Sequence, residues 1–289
     1  MTIKRLFQVD GRPFFPVGGQ THNSSGYSAE ALQAAWPALA AIHANSLAVP
    51  VYWEQVEPRE GQFDWTGVDA AIEGARAHGL RLILLWFATW KNGKSRYCPA
   101  WVKADTTRFP RVFTPDGQPI AILSPHGATT WAADRAAFCQ LLGHLREKDA
   151  EQRTVLAVQI ENEPGLYGSD RDYGPPGEAA YRQPVPQEVL HRLAEQPGGP
   201  VAATWRAQGS PGAGDWEACF GWQGGECCTA YAIARYIDGL AEAGRAVYDL
   251  PLYVNVWLGQ RGFHPAGTYP SGGAIAQVLD LWKGCTPHI

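Results

Sequence analysis

The sequence lacks the features that mark several classes of protein. No apolar run is long enough to cross a membrane, and no long basic run accompanies the net charge of -4. Residues 1–10 contain no apolar segment of the kind found in signal peptides. Neither a Gly-rich dinucleotide motif nor a P-loop is present. We therefore expect a cytoplasmic protein that has neither nucleic acid nor membrane as its partner.

The cysteines also lack the spacing of a metal site. They form no Cys-x-x-Cys pair, and no cluster of His, Asp, Glu and Cys has the spacing of metal ligands, so we predict no metal and no cofactor. Free thiols in a reducing compartment are the expected state, although an even count does not exclude a disulfide. The six are Cys98, Cys139, Cys219, Cys227, Cys228 and Cys285.

Aromatic residues, in contrast, are abundant. The chain has 12 Trp, 11 Tyr and 10 Phe, and several Trp fall at the ends of predicted strands. Most of these rings are expected in the core. Those at strand ends are candidates for stacking on the apolar faces of sugars or other flat ligands.

Strands and helices alternate along the chain, which indicates parallel β/α units. This α/β pattern predicts a (β/α)8 TIM barrel of which about five units are present, in one domain of residues 1–289 with loop insertions at about 88–130 and 165–225. An open five-stranded sheet would expose its edges, so we expect a barrel truncated at its C-terminus. The predicted strands are Phe14–Gly19, Ser46–Trp53, Leu80–Phe87, Val155–Glu161 and Leu252–Leu258. The main predicted helices cover residues 28–42, with a break near Pro37, and 68–78, 131–149, 187–195, 229–247 and 273–282.

Polar and aromatic residues gather where the predicted strands end. In a barrel these ends meet on one rim, where active sites are built. We predict substrate contacts there, while ordinary turn hydrogen bonds and core packing remain open as alternatives. The predicted contacts are Gln20 and His22 after the first strand, Tyr52 and Glu54 at the second, Trp90 and Asn92 after the third, Glu161 at the fourth and Trp257 on the fifth.

The fourth predicted strand leads directly into a cluster of carboxylates. Its residues Val155–Ile160 suit a strand that is covered on both faces, and Glu161, Asn162 and Glu163 follow at its exit. Hydrolysis of a glycosidic bond needs a proton donor for the leaving oxygen and a second carboxylate near the anomeric carbon. Glu163 is the candidate donor, and Asn162 could hydrogen-bond a sugar hydroxyl.

Three segments carry a resemblance to a known family. Residues 159–165, Gln-Ile-Glu-Asn-Glu-Pro-Gly, resemble the fourth-strand motif of retaining β-galactosidases of glycoside hydrolase families 35 and 42. Residues 53–65 are similar to their second-strand segment, with Trp, Glu-Pro, Gly and Phe-Asp in order, and residues 15–20 to their first strand. Pro164 stands where these families usually have Tyr, and Asn-Glu-Pro is common in the wider clan of barrel glycosidases.

The resemblance implies a retaining glycosidase that acts on terminal β-galactosides. It assigns the acid/base role to Glu163, and Asn162 matches the amide residue that precedes the acid/base in these families. It places the nucleophile on a Glu at the end of the seventh strand. No residue here matches that nucleophile, since Asp280 is the one acidic residue after Asn255. A retaining pair lies roughly 5–5.5 Å apart. We therefore expect the nucleophile beyond Ile289 and little or no activity in this chain alone.

Two other interpretations stay open. The first is a barrel that binds carbohydrate without catalysis. The second is a different hydrolase or lyase in which Glu161 and Glu163 act as an acid/base pair. The main predicted partner is a carbohydrate substrate. Many barrels of this kind also form homo-oligomers.

Overall fold

The computed structural model describes residues 7–9, 11–196, 198–259 and 264–289. Its strands are β1 (Phe7–Val9), β2 (Arg12–Phe14), β3 (Gly18–Gln20), β4 (Ser46–Tyr52), β5 (Arg81–Lys91), β6 (Arg111–Phe113), β7 (Pro119–Leu123), β8 (Val155–Asn162) and β9 (Leu252–Tyr253). Its helices are α1 (Ala29–Gln33), α2 (Ala35–Ala41), α3 (Trp53–Val56), α4 (Thr66–Ala77), α5 (Ala100–Ala104), α6 (Ala128–Asp149), α7 (Pro175–Tyr181), α8 (Gln187–Glu195), α9 (Pro200–Ala207), α10 (Trp216–Phe220), α11 (Gly224–Val247) and α12 (Leu279–Cys285), with a short 3-10 turn at Gly221–Gln223.

Five strands form one parallel sheet in the order β3-β4-β5-β8-β9. This arrangement confirms the predicted α/β class and the run of five β/α units. Within the part of the chain that the structure describes, β3 pairs with β4 alone and β9 with β8 alone, so the sheet does not close into a barrel. The other strands form two antiparallel hairpins, β1-β2 and β6-β7.

The two faces of the sheet have different environments because side chains alternate along a strand. The helix-covered face carries Val49, Leu84 and Val158, which belong to the main core. The opposite face carries a small cluster of Tyr52, Leu85 and Phe87 with half-buried residues around it. The second face would be the interior of a closed barrel.

The long helices form as their apolar periodicity predicts. The inner face of α6 buries Phe138, Leu141, Leu142 and Leu145 at the spacing of an amphipathic helix. The Ser28 side chain caps α1 by accepting from the Ala31 N–H. The predicted break near Pro37 lies between α1 and α2, and Pro37 sits in the first turn of α2, where a missing N–H costs little.

Several predicted boundaries were wrong. The segment 88–130 is not all loop, because β5 continues to Lys91 and α5, β6 and β7 follow. The segment 198–225 contains α9 and α10 rather than irregular chain, since buried Trp205 and Trp216 anchor short helices there. The fifth strand covers only Leu252–Tyr253, with Trp257 in an isolated bridge to Ile275.

Two further findings concern the cysteines and the length of the apolar helices. All six cysteines lie among the described residues, and each is a free thiol. No helix in the described ranges is both long enough and apolar enough to span a membrane.

A buried carboxylate joins the end of α6 to the start of β8. Asp149 is 1% exposed and accepts from the N–H groups of Thr154 and Val155 at 3.0 and 2.7 Å, and from Arg76 at 2.7 Å. These donors would lose their partner without the carboxylate. The interaction therefore fixes where β8 enters the sheet.

We predict that Asp149→Ala lowers the free energy of unfolding by about 2–4 kcal/mol, because buried donors are left unsatisfied and Arg76 loses its counter-charge. Chemical denaturation measures this loss. The matched control is Glu151→Gln, an exposed residue two positions on, which should change stability by less than about 0.5 kcal/mol. Equal midpoints for the Asp149 variant and the control would contradict the prediction.

Candidate active site

The exit of β8 is built from unusual backbone. Glu161 and Glu163 have φ values of 58° and 47°, and Asn92, which follows β5 beside them, has a φ of 53°. Among the described residues, six non-glycine residues adopt positive φ, and three of them meet here. This conformation is uncommon for residues other than glycine, and such residues concentrate at functional sites. The junction of β5 and β8 is therefore where a site is expected.

Glu163 is the half-buried carboxyl group at this junction. Its N–H donates to Asn255 Oδ1 at 2.7 Å, and its carbonyl accepts from the Gly93 N–H at 3.1 Å, so the backbone of Glu163 is held from two sides. Burial raises the pKa of the Glu163 carboxyl, and the positive charge of Lys91 opposes that rise. A carboxyl group with these properties can hold a proton and still reach a ligand.

Asn162 is held by a chain of amides. Its Oδ1 accepts from Gln159 Nε2 at 3.1 Å and from Asn255 Nδ2 at 3.2 Å, while its Nδ2 donates to Asn92 Oδ1 at 2.9 Å. Asn162 is 4% exposed. These bonds fix both the side chain and the residue that precedes Glu163.

Lys91 closes the same network from β5. Its ammonium donates to Asn92 Oδ1 at 2.5 Å and lies 5.1 Å from the centre of the Phe87 ring. Burial lowers the pKa of Lys91, and the charge of Glu163 opposes that shift. The two residues therefore stabilise each other's charged form across the site.

Glu161 lies on the other side of β8, although only Asn162 separates it from Glu163 in the sequence. Its carboxyl group is fully buried and accepts from the N–H groups of Thr89 and Trp90 at 3.0 and 2.7 Å. The side chain reaches toward α6, where it meets Asp134. The positive φ of Glu161 turns it away from the opening, so a substrate contact by Glu161 and an acid/base pair of Glu161 and Glu163 do not fit this geometry.

Two predicted aromatic contacts are also enclosed by protein. Trp90 has no exposed surface, packs edge-on against Tyr236 and donates to the Leu123 carbonyl. Tyr52 is 1% exposed, and its hydroxyl donates to the Asn23 carbonyl at 2.5 Å. Neither ring has a free face for a sugar. The sequence places an aromatic residue at a strand end, but the neighbouring helices and loops decide whether it is covered.

The remaining predicted contacts lie nearer the surface. Gln20 is the exposed last residue of β3, His22 is exposed after it, and Asn92 is exposed after β5. Glu54 is partly exposed, and its carboxylate accepts from Tyr27 at 2.5 Å and from Lys103 at 2.9 Å. Trp257 is half-buried and stacks on Tyr269 with ring centres 5.4 Å apart. The structure brings Asn92 together with Asn162 and Glu163, whereas Gln20, His22 and Glu54 belong to neighbouring strand ends.

Sequence reasoning missed three residues of this network: Asn255, Lys91 and Gln159. Asn255 lies in the fifth predicted strand, and its position after the short apolar run of residues 252–254 is the available signal. Lys91 and Gln159 gave no such signal, because a single Lys after a predicted strand and a single Gln within a strand are common in proteins of any function. In the part of the chain that is described, no group of three or more His, Cys, Asp and Glu could hold a metal.

The fold and the site together define a class. A parallel β/α sheet of the TIM-barrel type carries Asn162 and the half-buried Glu163 at the carboxyl end of its fourth strand, on the rim where barrel enzymes build their active sites. A family model agrees: the Beta-galactosidase model of glycoside hydrolase family 42 matches residues 28–190, which is more than half of the chain. The chain belongs to this family.

A curated relative and two solved structures are similar to the chain. A curated β-galactosidase from Xanthomonas manihotis is 29% identical over 185 residues, which cover 61% of this chain but only 28% of that protein. The catalytic domain of β-amylase from Paenibacillus polymyxa superposes with a TM-score of 0.58 at 13% identity, over 93% of this chain and 74% of that one. A β-galactosidase from Bacillus circulans sp. alkalophilus gives 0.52 at 14% identity, over 81% of this chain and 35% of that one. The structural matches support the fold.

We predict that Lys91→Met raises the pKa of the Glu163 carboxyl further, because the charge that opposes its rise is removed while the length of the side chain is kept. A carbon-detected NMR titration of labelled Glu side chains measures this pKa. Lys103→Met is the matched control, since its ammonium pairs with Glu54 instead. An unchanged or lowered pKa of Glu163 in the Lys91 variant would show that the two charges do not interact.

Proposed function

We propose that this chain forms the acid/base side of a retaining glycosidase that releases terminal β-galactosyl units, with Glu163 as the general acid and base. The observation that carries the proposal is the placement of Glu163: half-buried, at the carboxyl end of β8, beside Asn162 and with a raised pKa. The family membership and the curated β-galactosidase relative support the same reaction class.

Each feature of Glu163 serves one step of this reaction. Burial favours the protonated form, which the first step needs to protonate the leaving oxygen. The same group, once ionised, takes a proton from the water that releases the sugar. Lys91 keeps the pKa from rising so far that this second role is lost. The backbone bonds to Asn255 and Gly93 hold the carboxyl group in place between the two steps.

The surrounding polar groups are proposed as sugar contacts. Asn92 is exposed next to Asn162, and the two amides could meet neighbouring hydroxyls of one sugar. Gln20, His22, Glu54 and Trp257 are kept as contacts for other parts of the ligand. Glu161, Trp90 and Tyr52 are left out of the proposal because they are enclosed.

The retaining mechanism also needs a nucleophile. Among the described residues, Lys91 is the charged group that shifts the pKa of Glu163, and no carboxylate contributes to the pKa of Glu163. The chain spans 28% of the length of the curated relative. The proposal assigns the nucleophile to polypeptide outside these 289 residues, and with it nearly all of the hydrolytic activity.

A second candidate is a barrel segment that binds carbohydrate without cleaving it. The single carboxyl group facing Lys91 favours this alternative, because binding needs the amide network but no second carboxylate. The two candidates differ in one measurement: both bind galactose, and only the first hydrolyses a galactoside once a nucleophile is supplied.

We predict that Glu163→Gln lowers the rate of hydrolysis of a nitrophenyl β-galactoside by about 10²–10⁴-fold, the usual contribution of a general acid/base. The assay uses a protein in which these 289 residues are joined to the segment that carries the nucleophile. Glu151→Gln is the matched control and should keep the wild-type rate. In Glu163→Ala, azide should restore turnover of the nitrophenyl substrate, since this small anion attacks the glycosyl intermediate without a general base.

Other results would decide against the proposal. A Glu163→Gln enzyme with the wild-type rate, or a Glu163→Ala enzyme that azide does not accelerate, removes Glu163 from the acid/base role. Binding of galactose by calorimetry with no hydrolysis in the joined protein would select the non-catalytic alternative.

A further inference from the structure

The pairing of β5 with β8 is interrupted next to the candidate site. Trp86 pairs with Ile160 and Lys91 pairs with Asn162, so the four residues Phe87–Trp90 stand opposite the single residue Glu161. A bulge of this size takes backbone N–H groups out of the ladder. Those groups are buried and need other acceptors.

The Glu161 carboxyl group supplies those acceptors. One oxygen accepts from the Thr89 N–H at 3.0 Å and the other from the Trp90 N–H at 2.7 Å. The side chain thus takes the place of two backbone carbonyls inside the bulge. Pairing resumes immediately afterwards, where the Asn92 N–H donates to the Asn162 carbonyl at 2.8 Å.

A second carboxyl group lies against the first. Asp134 of α6 is fully buried and accepts from Trp86 Nε1 at 3.0 Å, from Thr89 Oγ1 at 2.7 Å and from the Tyr236 hydroxyl at 3.0 Å. The Asp134 and Glu161 carboxyl groups are neighbours, because the same residue, Thr89, bonds to both. Thr89 joins the pair by donating its N–H to Glu161 and its hydroxyl to Asp134.

The surroundings offer this pair no positive charge among the residues described. The titratable groups that face it are Tyr236 on α11, Glu57 after α3 and Cys98 after β5, and each of these is neutral or acidic. Two ionised carboxylates that are neighbours and fully buried repel each other strongly. A neutral carboxyl group beside an ionised one removes this repulsion, because the protonated group can donate to its neighbour.

We propose that Glu161 and Asp134 share a single proton and act together as a buried positioning pair, which holds the bulge of β5 against β8 and so places Asn162 and Glu163. Glu161 is a positioning residue and not a catalytic one, because its carboxyl group reaches no ligand. The catalytic consequence rests on the proposed function, whereas the shared proton does not.

The retained proton makes stability depend on pH. Burial raises the pKa of Glu161 well above its usual value, so the native state keeps a proton that the unfolded chain releases above about pH 4.3. The native state then binds more protons than the unfolded state, and stability falls as the pH rises toward the native pKa. One linked proton changes the unfolding constant by up to about tenfold per pH unit.

The test compares the wild-type chain with Glu161→Gln, which imitates the neutral acid. The wild type at neutral pH should show the infrared carbonyl band of a protonated carboxylic acid, and the difference spectrum should show that Glu161→Gln has lost it. Between pH 5 and 7 the unfolding constant of the wild type should rise relative to that of Glu161→Gln. Glu151→Gln is the matched control and should keep both the band and the wild-type pH dependence.

Positioning has its own readout in the NMR signal of the Glu163 carboxyl. Glu161→Gln should leave that signal and its titration close to wild type, whereas Glu161→Ala should shift both, because the bulge loses its acceptors. A wild-type spectrum without the band overturns the shared proton whether or not any variant folds. A difference spectrum of wild type minus Glu161→Gln that lacks the band, or a stability difference that is independent of pH, overturns it too. A failure of galactoside hydrolysis alone would count against the proposed function and leave these measurements unaffected.

Discussion

The structure of the site depends on one interaction, the acceptance of two backbone N–H groups of β5 by the Glu161 carboxyl group. It allows the sheet to lose its register over Phe87–Trp90 and to recover it at Lys91 and Asn162. The bulge sends Trp90 toward the helices and Lys91 toward the opening. A buried carboxyl group that makes only protein contacts thereby determines which side chains can reach a ligand.

The two glutamates of the motif differ only in environment. Glu161 is enclosed among backbone donors and Asp134, while Glu163 is half-buried and sees Lys91. Burial raises the pKa of both, but only that of Glu163 is opposed by a cation. Identical side chains two positions apart thus take different roles, one structural and one suited to proton transfer, because left-handed backbone at both positions turns them to opposite sides of β8.

In this buried site, hydrogen bonds between amide groups hold the side chains in place without the desolvation cost of burying charged groups. Asn162 bonds to Asn92, Asn255 and Gln159, which come from three different strands or their exits. Asn162 and Asn255 both donate and accept, Gln159 donates and Asn92 accepts, so the chain of bonds satisfies buried polar atoms without adding net charge. Asn255 makes a second contribution, because its oxygen accepts from the backbone of Glu163. The position of the candidate acid therefore depends on a residue that is 92 positions later in the chain.

The sequence by itself determined the order of the five sheet strands and of the long helices, the parallel sheet, and the location of the Asn162–Glu163 motif at the end of a buried strand. These follow from apolar periodicity and from local turn signals, which act over a few residues. Tertiary structure alone decided that Glu161, Trp90 and Tyr52 are enclosed, that α9 and α10 form, and that Asn255 joins the site. The physical reason is that burial and hydrogen-bond partners depend on chain segments far apart in sequence, and a bulge or a positive φ reverses the side to which a strand residue points.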